Sequence, residues 1–280
     1  MVTLRTTDGV RLDAWHDPGD VRLAVVIAHG FTGSWRQPAV RRVAAVLNPH
    51  AQAVELATGA AARTAPPPGA DLPPGAWLAP GVVSFDFRGH GRSGGASTVG
   101  DLEVLDLRAA VDWALAYGYR RVVTLGFSMG AAVAIRHAAL YRGVAAIAAV
   151  SGPSRWYYRG TPPMRRLHWM VQWPLGRLIG RIAMGTRIAS GGWRPPLPEA
   201  PFEVAGRISP VPLLVVHGDA DAYFPVEHAE KLYAAAAEPK ELWIEPGFGH
   251  AENAASGELL GRIRTWLIQA SGAGEGPVEP

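Results

Sequence analysis

At 280 residues, with 48% hydrophobic and 18% charged residues and a net charge of +3, the chain has the composition of one soluble globular unit with a single large core. The absence of cysteine excludes disulfides, thiolate metal sites and a cysteine nucleophile, and it fits a reducing, cytoplasmic setting. No charged start followed by an apolar run marks a signal peptide, and no stretch approaches the roughly 20 apolar residues that cross a bilayer.

The first residues, MVTLRTTDGVRLDAW, read as strand, Asp8-Gly9 turn and strand. Leu23 to Ala28 is an unbroken apolar run, as expected of a strand buried on both faces of a parallel sheet, and it ends in His29-Gly30-Phe31. An amphipathic helix is expected over Gln37 to Leu47. Residues 48–80, rich in Ala, Pro and Gly and without sustained period, read as an insertion loop. It should be mobile surface at the pole opposite Ser128 rather than a lid. Val82 to Phe85 is a second buried strand running into Asp86-Phe87-Arg88-Gly89-His90-Gly91. A helix over Asp101 to Tyr117 is closed by Gly118. After a strand at Val144 to Val150, the segment 151–210 interrupts the alternation. Strand Leu213 to Val216, a helix near Glu227 to Ala237, strand Glu241 to Glu245 and a helix near Ser256 to Ile268 then complete it.

Strands alternating with helices imply an α/β chain with a doubly wound, mostly parallel sheet. The expected division is a core over 1–150, a small helical cap over 151–210, a second core portion over 211–270 and a disordered tail over 271–280. The cap leaves from the C-terminal end of a strand, the edge where such sheets bind ligands.

The centre of the chain is Arg121 to Tyr141: a β-branched run, then Gly126-Phe127-Ser128-Met129-Gly130, then an Ala-rich helical stretch. A serine on a tight strand-to-helix turn is exposed as a nucleophile, and flanking glycines avoid the collisions that a Cβ would cause there. The G-x-S-x-G pattern alone is weak, because Gly91-Arg92-Ser93-Gly94-Gly95 also fits. Only Ser128 has a strand before it and a helix after it.

A serine hydroxyl needs an imidazole to take its proton and a carboxylate to hold that imidazole in the right tautomer. His250 follows the last expected strand, in Pro246-Gly247-Phe248-Gly249-His250. Asp219 and Asp221 both follow the strand before it, in His217-Gly218-Asp219-Ala220-Asp221-Ala222-Tyr223-Phe224-Pro225. The order Ser, Asp, His suits strand ends along one sheet edge. His29 and His90 read as loop-bracing groups, and the Asp86 to Gly91 motif as structural support beside the elbow.

Taken together, His29-Gly30-Phe31, Asp86 to Gly91, Gly126 to Gly130, His217-Gly218 to Pro225 and Gly249-His250 resemble the α/β-hydrolase-fold serine hydrolases, nearest to the capped esterase and monoacylglycerol-lipase-like group. The resemblance implies catalytic Ser128, Asp221 and His250, with Asp221 favoured over Asp219 because Pro225 follows at the family's spacing. It also implies an oxyanion hole from the backbone N–H groups of Phe31 and Met129. The expected activity is cleavage of carboxylic esters through an acyl-serine intermediate, extending to lipid-like acyl substrates. Thioesterase or amidase chemistry on the same residues, or a non-catalytic binding protein of the same fold, are the alternatives. No metal or nucleotide motif appears, so no cofactor and no nucleic-acid partner is expected.

Between Ser151 and Pro198 lie eight arginines and no Asp or Glu, which leaves 19 basic and 24 acidic residues for the rest of the chain. Four of the ten tryptophans fall in the same segment. Apolar residues interleaved with arginine, as in MRRLHWMVQWPLGRLIGRIAMG, have the character of an interfacial amphipathic helix. Two readings stay open: peripheral contact of the cap with an anionic membrane surface or an anionic acyl carrier, and a cap whose arginines are merely solvated.

Overall fold

The fold, taken from a computed structural model that describes residues 1–49, 79–190 and 197–273, is organised by one eight-stranded sheet. Its strands are β1 (Val2–Arg5), β2 (Arg11–Asp17), β3 (Asp20–Ala28), β4 (Pro80–Phe85), β5 (Val122–Phe127), β6 (Ile147–Val150), β7 (Leu213–Gly218) and β8 (Lys240–Glu245). They lie in the order β1-β2-β4-β3-β5-β6-β7-β8. Only the β1–β2 and β2–β4 pairings are antiparallel. The Asp8-Gly9 turn joins β1 to β2, with Gly9 at φ 86°, a left-handed conformation that glycine adopts without strain.

The central strands are mainly apolar along their buried length, with Ser84, Thr124 and His217 the polar exceptions, because each face of the sheet meets a layer of helices. Along β3 the side chains alternate. Ala24, Val26 and Ala28 join one core, and Leu23, Val25 and Ile27 join the other. The first core is covered by α2 (Glu103–Tyr117), α3 (Met129–Leu140) and α7 (Glu227–Ala235). The second is covered by α1 (Pro38–Leu47), the short α8 (Ala251–Ala254) and α9 (Gly257–Ala270), and Leu259, Leu260, Ile263, Trp266 and Leu267 of α9 share the face the periodicity assigns. Ser256 caps α9 by accepting from the Leu259 N–H at 3.1 Å.

Between β6 and β7 lie α4 (Pro162–Gln172), α5 (Pro174–Ala183) and α6 (Pro201–Val204), the last continued by a 3₁₀ turn over Ala205–Ile208. The apolar stretch that reads as one amphipathic run is two helices. Pro174 forces Trp173 into an extended conformation (φ −97°, ψ 140°), which breaks the run there. The segment assigned to the cap also divides. Helices α4 and α5 lie over the sheet edge, joined to the first core through Met170 and Val171 of α4, and Val204, Ala205 and Ile208 belong to that core as well.

Most of the 48–80 insertion falls outside the described residues, and Pro80 already forms part of β4. Of the expected tail, Ser271 and Ala273 are buried against the core, and 274–280 lie outside the described residues. Among the described residues no helix is long and apolar enough to cross a membrane.

Candidate active site

Ser128 stands between β5 and α3, at φ 50° and ψ −115°, in a region that non-glycine residues rarely enter. Its N–H is held by the Val150 carbonyl of the neighbouring strand at 2.9 Å. The two flanking glycines are needed for close approach. A Cβ on Gly126 would fall 2.4 Å from the Gly130 carbonyl oxygen, and one on Gly130 would fall 2.1 Å from that of Ala28. The turn is therefore as tight as β3, β5 and α3 allow.

The parallel strands β5, β7 and β8 deliver three side chains to one edge of the sheet. His250, beyond β8, places Nε2 3.0 Å from Ser128 Oγ and Nδ1 2.8 Å from Asp221 Oδ2. Asp221, beyond β7, is wholly buried at its side chain, and its Oδ1 accepts from the N–H groups of Tyr223 (2.8 Å) and Phe224 (3.1 Å). Burial alone would raise the Asp221 carboxyl; the hydrogen bond and charge of His250, with those two N–H groups, outweigh it and hold the pKa below the usual value. Asp221 thus accepts the Nδ1 proton of His250, which leaves Nε2 free to accept from Ser128. Tyr223 stacks on the imidazole at 4.3 Å between ring centroids, fixing its plane.

The rival residues sit elsewhere. Asp219 accepts from the Gly247 N–H at 2.7 Å and braces the turn after β8. Ser93 is buried, donates to the Asp86 carbonyl at 2.6 Å and accepts from the Asp13 N–H at 2.9 Å.

The loop carrying Phe31 is pinned on both sides. His29 donates from Nδ1 to the Gly30 carbonyl and accepts the Phe87 N–H at Nε2; His90 donates from Nδ1 to the Arg88 carbonyl and accepts the Thr32 N–H at Nε2. Asp86 accepts from the N–H groups of Trp35 and Arg92. Burial would depress the Arg88 guanidinium, but Asp8 and Asp106 pair with it and keep it charged. These loops brace one another beneath the site.

One participant has no signal in the sequence. Glu252, two residues after His250, is buried, and its Oε1 accepts the Gly30 N–H at 3.0 Å. Its Oε2 has no partner among the described residues. Both oxygens and the Ser128 Cβ flank the same point above the Gly30 Cα. With Thr32 tied to His90 and Gly30 tied to Glu252, the peptide bearing the Phe31 N–H is held from both ends.

Above these residues opens a cavity of about 800 Å³. Gly30, Phe31, Ser128, Met129 and His250 form its floor, and Trp156, Tyr157, Met164, Leu167, Trp169, Met170, Ile179 and Met184 form its apolar walls and roof. Alongside lies a smaller, more polar hollow of about 520 Å³ lined by Gln37, Arg42, Glu252 and Asn253.

A family model described as serine aminopeptidase, S33, matches residues 80–192, which include Ser128 but end before Asp221 and His250. The monoacylglycerol lipase of Mycolicibacterium smegmatis is 27% identical over 93% of this chain and 94% of its own. An uncharacterised protein of Mycobacterium tuberculosis is 27% identical over 98% of this chain and 81% of its own. In structure, the esterase Pf2001 of Pyrococcus furiosus superposes with a TM-score of 0.67 at 25% identity, covering 96% of this chain and 88% of that one. The chain is an α/β-hydrolase-fold serine hydrolase. In this hydrolase the family match runs from β4 through the elbow and across α4 and α5.

Proposed function

We propose that this serine hydrolase is an esterase that cleaves carboxylic esters with a long or bulky apolar acyl group through an acyl-Ser128 intermediate. The observation that carries the reading is the hydrogen-bonded line from Ser128 through His250 to Asp221, at 3.0 and 2.8 Å, on the floor of an apolar cavity. His250 takes the Ser128 proton as Oγ attacks the ester carbonyl carbon, and the buried Asp221 stabilises the imidazolium that forms. The oxyanion is received by the N–H groups of Phe31 and Met129. His250 then gives its proton to the departing alkoxide. A water molecule, deprotonated by the same imidazole, attacks the acyl-enzyme and releases the acid.

The names of the M. smegmatis lipase and the P. furiosus esterase support esters. An aminopeptidase must hold a substrate ammonium group; the cap segment Ser151 to Pro198, with eight arginines and no acid, offers it repulsion, and Glu252, the one carboxylate lining the cavity among the described residues, is bound through Oε1 to the Gly30 N–H. Neutral or anionic acyl esters suit that field.

A fluorophosphonate probe followed by peptide mapping tests the nucleophile, with label expected on Ser128 in the wild type and absent in Ser128→Ala. A series of p-nitrophenyl esters from acetate to palmitate tests the acyl pocket, and kcat/KM is expected to rise with chain length beyond acetate. Ser128→Ala should lower kcat by about four to six orders of magnitude, since the members of such a triad act as a unit. Labelling of Ser93, or full turnover by Ser128→Ala, overturns the reading.

A further inference from the structure

Helix α5 is packed the opposite way round from an ordinary helix of a globular protein. Its buried residues are Gly176 and Gly180. Gly176 lies so close to α4 that a Cβ would fall 2.5 Å from the Met170 Cα. The large side chains point away from the protein: Leu175, Leu178, Ile179 and Ile182 are 60%, 50%, 40% and 76% exposed. Their spacing of three, four and seven residues makes them one stripe along the helix. Exposed Trp169, Trp173 and Met184 extend the apolar surface, and Trp169, Ile179 and Met184 also line the cavity above Ser128. A lone exposed leucine needs no explanation, whereas a continuous stripe at the mouth of a cavity marks an interaction surface.

The charge around the stripe says what meets it. Arg155, Arg159, Arg165, Arg166 and Arg181 are exposed, and no acidic residue lies between Ser151 and Pro198. A second copy of the chain is the wrong occupant. A two-fold contact sets a patch against itself and would bring these arginines together with no carboxylate from the same segment between them. An anionic bilayer supplies both complements, acyl chains for the stripe and phosphates for the guanidinium groups.

We propose that the α4–α5 face docks on an anionic membrane surface, laying the Leu175 to Ile182 stripe at the acyl boundary and opening the cavity toward the lipid. The delivery of acyl esters from the bilayer rests on the esterase reading; the docking does not. Docking also gives the inverted packing of α5 a purpose, since its glycine edge is what turns every large side chain outward.

The test is co-sedimentation of the full chain with vesicles of phosphatidylcholine, with and without phosphatidylglycerol. It is run at about 0.1 M and about 1 M salt, where the screening length falls from about 10 to about 3 Å. Binding to the anionic vesicles at the lower salt is expected, weakening by about tenfold or more at the higher salt or on neutral vesicles. Leu178→Asp combined with Ile182→Asp should abolish that binding and the hydrolysis of a long-chain ester embedded in the vesicles. Turnover of a water-soluble short ester should be unchanged, which shows that the variant is folded.

Four results overturn the proposal: no binding at the lower salt, binding indifferent to lipid charge, binding unaffected by the double substitution, or a solution dimer that the substitution dissociates. Vesicle binding by Ser128→Ala equal to wild type supports docking independently of chemistry. Vesicle binding without turnover of any ester sinks the esterase reading and leaves docking standing, and turnover of short esters without vesicle binding does the reverse.

Discussion

At the scale of single residues, the glycine-flanked serine was legible because its neighbours in sequence already describe a strand, a turn and a helix. The carboxylate proposed to orient His250 was less so, because Asp219 and Asp221 share one loop and sequence spacing alone does not separate them. What separates them is aim: Asp221 points to His250, and Asp219 to the Gly247 N–H. Asp221→Asn should therefore lower kcat by up to about four orders of magnitude by presenting the imidazole with a donor and the wrong tautomer. Asp219→Asn should cost activity little, and steady-state kinetics on one ester compares the two directly. Glu252 could not be read from the sequence, since nothing distinguishes a carboxylate two residues after a histidine from a surface one. Its bond to the Gly30 N–H holds the loop that carries Phe31, which in the proposed mechanism makes it a positioning residue for the oxyanion donor. Glu252→Ala should reduce kcat by about ten- to a hundredfold with KM little changed, short of the full loss of an oxyanion donor. Glu252→Gln keeps an acceptor for Gly30 and should recover most of that loss. A KM effect of equal size in both variants would remove Glu252 from that role.

At the scale of elements, legibility followed burial. Strands β3, β4, β5 and β7 announce themselves as apolar runs because both of their faces are covered. The start of β6 was overestimated, since Val144 to Ala146 are apolar but enter the sheet through a turn at Gly143 (φ 113°). The cap was the least legible part. Pro162 and Pro174 each occupy the first helical position, which in retrospect mark the two helix starts. Their exposed apolar residues break the rule that periodicity points inward, so the pattern by itself does not say which face packs. The elbow glycines give a test of element packing. Gly130→Ala puts a methyl group into the Ala28 carbonyl and must push α3 off β3. A stability loss of about 2 kcal/mol or more is expected, with loss of fluorophosphonate labelling on Ser128. Denaturant unfolding and probe labelling report the two effects separately. A variant of unchanged stability and labelling would mean that the turn is looser than its geometry implies.

At the scale of the whole molecule, the feature with the widest consequence is the number of histidines buried without charge. Burial first, with nearby cationic groups adding to it, lowers His137, His168 and His228 to about 4 and His90 to about 3. All four are almost wholly inaccessible. In the unfolded chain each titrates near 6.5, so between there and about pH 4 the unfolded state binds protons that the native state refuses. The stability that these residues contribute is present above about pH 6.5 and is lost as the pH falls toward 4. By pH 5 each group accounts for about 2 kcal/mol of lost stability, and four together approach the whole margin of 5–15 kcal/mol that a domain possesses. Carboxylates held low, such as Asp221, begin to matter only below about 4, whereas Asp106, pushed up to about 7 by burial, takes up a proton in the native state over the same range and offsets part of the loss from the imidazoles. Denaturant unfolding should show the stability at pH 5 to lie several kcal/mol below that at pH 7. His137 has no hydrogen-bond partner at either ring nitrogen among the described residues, so it isolates one term without breaking a network. His137→Leu should make the drop from pH 7 to pH 5 about 2 kcal/mol smaller. A pH dependence identical in the wild type and His137→Leu would show that this ring reaches water or a proton acceptor in the native state, and the acid sensitivity would have to be sought in the other three.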